Sequence, residues 1–196
     1  MRKKVIIATQ NAHKLKEFNE MLKPLGYEVL SLTDLGFHED IEETGNTFSS
    51  NSYIKCKTIY DKYHEAVIAD DSGLSVDALG GLPGIYSHRY SGIGATDKSN
   101  RLKLISELSK INDKPYSARF ICAITYIDNE RTIKTEGTVE GEIILEERGD
   151  NGFGYDPIFF LKEYNKTVAE LPSDEKNKIS HRHNALIKLI EELKKC

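Results

Sequence analysis

The segment Val67-Ile68-Ala69-Asp70-Asp71-Ser72-Gly73-Leu74 constrains this chain more than any other. Its apolar start predicts a buried strand, and that strand leads straight into two adjacent carboxylates. Carboxylates at the end of a buried strand are costly unless positive charge meets them. A divalent metal suits the task, because hard cations take carboxylate oxygens. Gly73 permits a sharp turn or the close approach of a ligand. The same Asp-Asp-Ser-Gly run also has the composition of an ordinary turn, and the segment alone does not separate the two readings.

Around this strand the pattern is strand, helix, strand. Lys4–Thr9 predicts a buried strand, and Leu15, Phe18, Met21, Leu22 and Leu25 fall on one face of a following helix that Gly26 ends. Tyr27–Leu32 predicts a second strand. The order implies an α/β class with an extended, mixed central sheet flanked by helices. Gly45-Asn46-Thr47 opens a long helix reaching about His64. Val67–Ala69 is the third strand, and Ser75–Leu79 extends beyond the expected turn. Thr96 is the N-cap of a helix ending near Lys110. Ala118–Ile127 and Thr132–Leu145 predict a hairpin around Asp128-Asn129-Glu130. Ile158–Leu161 is a further apolar run. The last helix starts after Ser180, with Leu186, Ile187, Ile190 and Leu193 on its apolar face. With no repeat, linker or low-complexity tract, the 196 residues read as a single domain whose sheet divides into two lobes around an active-site cleft.

Charge and cysteine content narrow the function classes. A net charge of −4 argues against a nucleic-acid binder. No apolar run approaches the roughly 20 residues that span a membrane. Cys56, Cys122 and Cys196 are far apart and form no CxxC pair, so neither a zinc site nor a disulfide framework is expected. Cys56 and Cys122 read as core residues, and reduced thiols fit a cytoplasmic protein.

Several other clusters carry polar chemistry. Thr9-Gln10-Asn11-Ala12-His13-Lys14 stands where a strand meets a helix N-terminus, a place that attracts anions, although a capped helix with a solvated lysine has the same residues. The spacing is not that of a Walker loop. Glu42-Glu43-Thr44-Gly45-Asn46-Thr47 precedes a helix on which Asn51 and Lys55 share a face. This grouping is able to bracket a metal-bound phosphate, or is simply an acidic helix start. Phe153-Gly154-Tyr155-Asp156-Pro157 sets two aromatics in a glycine loop, a flat surface for a base or an anchored turn. His181 and Arg182 open the last helix, where cations oppose the helix dipole, and such a local conflict invites a functional reason.

In this order the segments resemble the inosine triphosphate pyrophosphatases, also described as dITP/XTP pyrophosphatases. The resemblance rests on Thr9-x-Asn11-x-x-Lys14, on Glu42-Glu43-Thr44-Gly45-x-Thr47-Phe48-x-x-Asn51-x-x-x-Lys55, and on Ala69-Asp-Asp-Ser-Gly-Leu74. It continues through Gly80-Gly-x-Pro-Gly84, Tyr86-Ser87-x-Arg89-Tyr90, Gly152-Phe-Gly-Tyr-Asp-Pro157, Glu175-Lys176 and Ile179-Ser-His-Arg182. It covers nearly the whole chain. The chain departs from the usual pattern at Ser52 and His88, where alanine is common, and at Gly149-Asp150-Asn151-Gly152, which is less glycine-rich.

The resemblance implies a Mg²⁺-dependent hydrolase that splits deaminated purine nucleoside triphosphates between the α and β phosphates. It implies Glu42 and Asp71 as metal ligands, with Glu43 a substitute for Glu42. Asp71 is also the implied proton acceptor, Asp70 shares either role, and Lys55 completes the catalytic group. Substrate contacts are implied for residues Thr9, Gln10, Asn11, Ala12, His13, Lys14 and Ser72. Phe153, Gly154 and Tyr155 would shape and stack the base, while Asp156, Lys176, His181 and Arg182 bond its edge. The family is typically homodimeric. Competing readings are a pyrophosphatase for other modified nucleotides, a nucleotide-binding module without catalysis, and a protein-interaction scaffold. The acids disfavour the second, and no exposed apolar pattern supports the third.

Overall fold

In a computed structural model, which describes residues 3–112 and 114–195, the strands pair into a seven-stranded mixed sheet. Met1, Arg2 and Cys196, including the thiol read above from the sequence, lie outside the described residues. The strands are β1 (Lys3–Ile7), β2 (Tyr27–Ser31), β3 (Val67–Val76), β4 (Tyr116–Ile127), β5 (Thr132–Ile143), β6 (Phe159–Leu161) and β7 (Lys166–Thr167). Their order is β2-β1-β3-β4-β5-β6-β7. β1 pairs in parallel with β2 and β3, whereas β6 is antiparallel to β5 and β7. The helices are α1 (Ala12–Leu22), α2 (Phe48–Tyr63), α3 (Asp97–Leu108), α4 (Ser173–Ile179) and α5 (His181–Lys194).

Contacts divide the chain into two units. The first comprises Met1–Asp71, Cys122–Gly137 and Arg182–Cys196, and the second Ser72–Ile121 and Thr138–His181. β3, β4 and β5 each contribute residues to both.

In the first unit the period-two alternation of the strands sorts the core into two layers. Val5, Ile7, Ile68, Cys122, Ile124 and Tyr126 pack with Phe18 and Leu22 of α1 and with Ala185, Leu186 and Leu189 of α5. Ile6, Ala8, Val67, Ala69 and Ile127 face the other way and pack with Cys56 and Ile59 of α2. The second unit has one core, in which Leu74, Val76, Ala118, Phe120 and Phe159 meet Leu104 and Leu108 of α3.

The sequence reading needs correction at several places. β3 does not turn at Ser72-Gly73; it runs unbroken to Val76 and ends in a 3₁₀ turn over Asp77–Leu79. Ladder pairing and the apolar residues Leu74 and Val76 on the far side keep the strand extended. Leu25 and Ile187 are 51% and 41% exposed, so neither belongs to its helix's buried face. α1 stops at Leu22, and a short 3₁₀ turn carries the chain to Gly26, whose φ of +83° closes the element. β7 and α4 are too short to leave a periodic signal in the sequence.

Candidate active site

Because β3 stays extended, its neighbouring carboxylates leave opposite faces of the sheet. Asp70 follows Ile68 onto the α1/α5 side, and Asp71 follows Ala69 onto the α2 side. Both clusters described next belong to the first unit.

Asp70 is buried and anchors a compact ion network. Its Oδ2 accepts from Lys14 Nζ at 2.9 Å and from Arg182 Nη2 and Nε at 3.1 and 3.3 Å. Arg182 also donates through Nη1 to Glu17 Oε2 of α1. Two cations and two carboxylates thus neutralise one another, with the Lys14 side chain partly open to water. Arg182 is 1% exposed. Burial acts against its charge, but Asp70 and Glu17 outweigh burial and hold the guanidinium above its ordinary pKa.

On the other face, Asn51 Nδ2 donates to Asp71 Oδ2 at 3.1 Å. Lys55 Nζ lies 3.8 Å from Asp71 Oδ1 and 2.6 Å from Glu43 Oε1. The helix that carries Asn51 and Lys55 starts from a capping box between Thr47 and Ser50. Asn51 Oδ1 accepts from Gly45 N at 2.8 Å, which orients the amide so that its NH₂ faces Asp71. A Cβ on Gly45 would lie 2.6 Å from that Oδ1 and 2.3 Å from Ser50 Oγ, so only glycine permits this approach. Burial pushes the Asp71 carboxyl above its usual range; Glu43 adds to the shift, while Lys55, Lys14 and the Asn51 bond oppose it. Lys55 is itself desolvated, yet Asp70, Asp71 and Glu43 hold it above the usual lysine value.

In the second unit, residues 149–156 form a loop braced by its own acid. Asp156 Oδ2 accepts from Phe153 N and from Lys176 Nζ, each at 2.9 Å. The Lys176 ammonium sits 4.5 Å from the Phe153 ring centroid, within cation–π range. Gly152, at φ +80°, lies so close to Asp156 that a Cβ would meet Oδ2 at 2.1 Å. His181 stacks on Phe120 with ring centroids 5.0 Å apart.

The structure brings Lys14 and Asp70 together, and Lys55 and Asp71 together, as two distinct groups. Glu42 is exposed, whereas its neighbour Glu43 is the acid that reaches Lys55. Asn11 does not present a free helix end: its Oδ1 already accepts from His13 N and Lys14 N. Thr9 Oγ1 accepts from Asn11 N, Gln10 bonds the Glu39 carbonyl, and Ala12 and His13 are exposed. Ser72 is half-buried within β3. Tyr155 is not an open aromatic surface; it is 5% exposed in the core and donates to the Ser87 carbonyl. Phe153 is the half-buried aromatic of the pair. Arg182 is an interior counter-ion, which explains why a cation tolerates the first turn of α5. Sequence reasoning missed Glu17; the three-residue spacing from Lys14, which places both on one helix face, was the available signal.

Comparison with known proteins agrees with this architecture. The family model described as the Ham1 family matches residues 5–192. The dITP/XTP pyrophosphatase of Bacillus subtilis strain 168 is 54% identical over 188 residues, covering 95% of each chain. That of Clostridium tetani strain Massachusetts / E88 is 45% identical over 196 residues, covering 98% of this chain and 96% of its own. Among solved structures, a HAM1 protein from Coxiella burnetii superposes with a TM-score of 0.90 at 40% identity, covering 99% of this chain and all of that one. The Staphylococcus aureus Ham1 protein gives 0.87 at 40% identity, with 98% of both chains covered. With nearly the full length matched in sequence and in fold, the chain belongs to the Ham1 family.

Proposed function

We infer that this protein hydrolyses deaminated purine nucleoside triphosphates, namely ITP, dITP and XTP, to the monophosphate and pyrophosphate, and so cleanses the nucleotide pool. The observation that carries the chemistry is the buried Asp71 carboxylate, held by Asn51 and Lys55, with Glu43 paired to the same lysine. Relatives named dITP/XTP pyrophosphatase supply the substrate class.

The reaction needs a water oxygen to bond the α-phosphorus while the bond from that phosphorus to the bridging oxygen breaks and pyrophosphate leaves. Asp71 takes the water proton. Its raised pKa makes it a stronger base than an exposed aspartate. Asn51 fixes the carboxylate's orientation, and Lys55 supplies positive charge for the phosphate chain. Lys14, held by Asp70 of β3, supplies a second ammonium.

Glu43 and Asp71 are the oxygen donors we assign to Mg²⁺. Among the described residues no group of three or more His, Cys, Asp or Glu side chains forms a metal cage. Two carboxylates nevertheless suit magnesium, which is commonly held by one or two carboxylates together with substrate phosphates and water. When bound, the ion would neutralise phosphate oxygens and lower the pKa of coordinated water.

Base choice falls to the second unit. Phe153 offers a ring, and Lys176, whose ammonium lies over that ring, offers a charged donor–acceptor pair with Asp156. A donor aimed at the six position donates to the keto oxygen of hypoxanthine or xanthine and is left unpaired by the amino group of adenine. Each such loss costs about 1–3 kcal/mol when buried. Guanine shares the keto oxygen, so its rejection rests on the two-amino group. We further propose a cytoplasmic location, which the reduced thiols of Cys56 and Cys122 fit, and a homodimer, which the resemblance in sequence implies. No helix among the described residues is long and apolar enough to cross a membrane.

Incubation with ITP, Mg²⁺ and separately with EDTA tests the reading by chromatography of nucleotides and assay of pyrophosphate. IMP and pyrophosphate are expected in equal amounts, only with metal present, and with ATP and GTP poorly used. Release of orthophosphate, or preference for ATP, would overturn it; light scattering reports the dimer.

A further inference from the structure

One contact set in the second unit lies outside every role described so far. The first turn of α3 grips the Phe153 loop from outside. Asp97 Oδ2 accepts from Gly154 N at 2.8 Å, and Arg101 Nη1 donates to Gly154 O at 2.8 Å. Asp97 and Arg101 are four residues apart, on one helix face, so a single residue is clamped through both its N–H and its C=O, which fixes the two peptide units that flank its Cα. Arg101 is in turn fixed by a two-pronged pair with Glu147, Nε to Oε1 at 3.0 Å and Nη2 to Oε2 at 3.1 Å. Such bidentate geometry restrains both position and rotation. Thr96 caps the same helix end with Ser99, so the clamp is built on a rigid terminus.

Gly154 needs such holding. Its φ is +62°, and nothing lies within 4 Å of where a Cβ would stand. Side-chain packing therefore does not fix this residue, although it connects Phe153 with the core residue Tyr155. On the inner side Asp156 binds Phe153 N; on the outer side Asp97 and Arg101 bind the next residue. We propose that Asp97 and Arg101 are positioning residues for base recognition, setting the Phe153 ring and the Lys176–Asp156 pair at the spacing a purine requires. The proposal rests on the base-binding role assigned above to that loop.

Calorimetric titration of IMP, together with steady-state kinetics on ITP, tests it. Asp97→Ala and Arg101→Met are each expected to weaken IMP binding and raise KM for ITP by about two- to ten-fold, the worth of one lost hydrogen bond. kcat should change less than KM, and inhibition by inorganic tripolyphosphate, which has no base, should be unaltered. Asp97→Asn retains an acceptor and should restore the native KM. The double variant should be little worse than the weaker single variant, since both act through one residue. Equal IMP affinity in native and variant proteins, or a matching loss of tripolyphosphate inhibition, would overturn the clamp. Thermal melting identifies a variant that fails to fold, and the comparison of Asp97→Asn with the native protein then decides: an altered KM there would also overturn it. Absence of ITP turnover in the native protein would instead refute the proposed function, because IMP binding reads the clamp without turnover.

Discussion

A pleated strand sends consecutive side chains to opposite faces, and at Asp70 and Asp71 this separates two chemistries. Asp71 stands against Asn51 and Lys55, while Asp70 is consumed by Lys14 and Arg182. Replacing Asp71 with asparagine is expected to lower kcat by at least about 10²-fold, the usual contribution of a general base, with no loss in melting temperature. Stability should hold because burial disfavours the ionised carboxylate: a native pKa above the unfolded value gives stability that is present below that value and lost as pH rises through the native one. Activity runs the other way, since the base must be ionised. The acidic limb of kcat/KM should therefore lie above the ordinary aspartate range, and Lys55→Met should move it higher still, by removing the ammonium that favours the charged form. Arg182→Ala belongs to the other face. It leaves Asp70 and Glu17 in the interior without their guanidinium, and a loss of about 3–5 kcal/mol is expected in urea denaturation. A loss of turnover with native stability would instead argue that Arg182 acts on substrate.

At the scale of elements, α2 is the part that turns sequence into a site. Its capping box, the Gly45–Asn51 bond and the buried Cys56–Ile59 stripe fix its axial position and rotation. Ser52 ties this helix to the sheet: its hydroxyl lies 2.7 Å from Thr125 Oγ1 of β4, and both residues are buried. Ser52→Ala should cost about 1 kcal/mol by leaving the threonine hydroxyl short of a partner, read as a shift in denaturation midpoint at constant m. The paired change Ser52→Ala with Thr125→Val should recover much of that loss, since no buried polar group is then left behind. His88, the other departure near the motifs, is exposed, and its side chain has no structural account here.

For the whole molecule, three strands contribute residues to both contact units. Neither unit is a continuous stretch of chain, so neither can lose its strands without breaking a ladder used by the other. Unfolding is therefore expected to be a single cooperative step, with tyrosine fluorescence and far-ultraviolet circular dichroism giving coincident denaturant curves. Separate midpoints would show that the units melt independently. The chain contains ten tyrosines and no tryptophan, so the fluorescence signal comes from residues spread through both units.

The α/β class, the capped starts of α2 and α3, the hairpin at residues 128–130 and the clustering of acids with lysines were readable from the chain itself. Each is set by local periodicity, caps and turn residues acting over a few positions. The turn read at Ser72-Gly73 was not a turn, because the ladder and the apolar residues beyond it keep β3 extended, and no local signal outweighs that. From that continuity follow the facts only tertiary structure decided: which face each aspartate takes, that Glu43 rather than Glu42 reaches Lys55, that Arg182 is interior, and that Tyr155 is core. These depend on side chains brought from distant parts of the chain onto a particular face, a relation that local spacing does not encode.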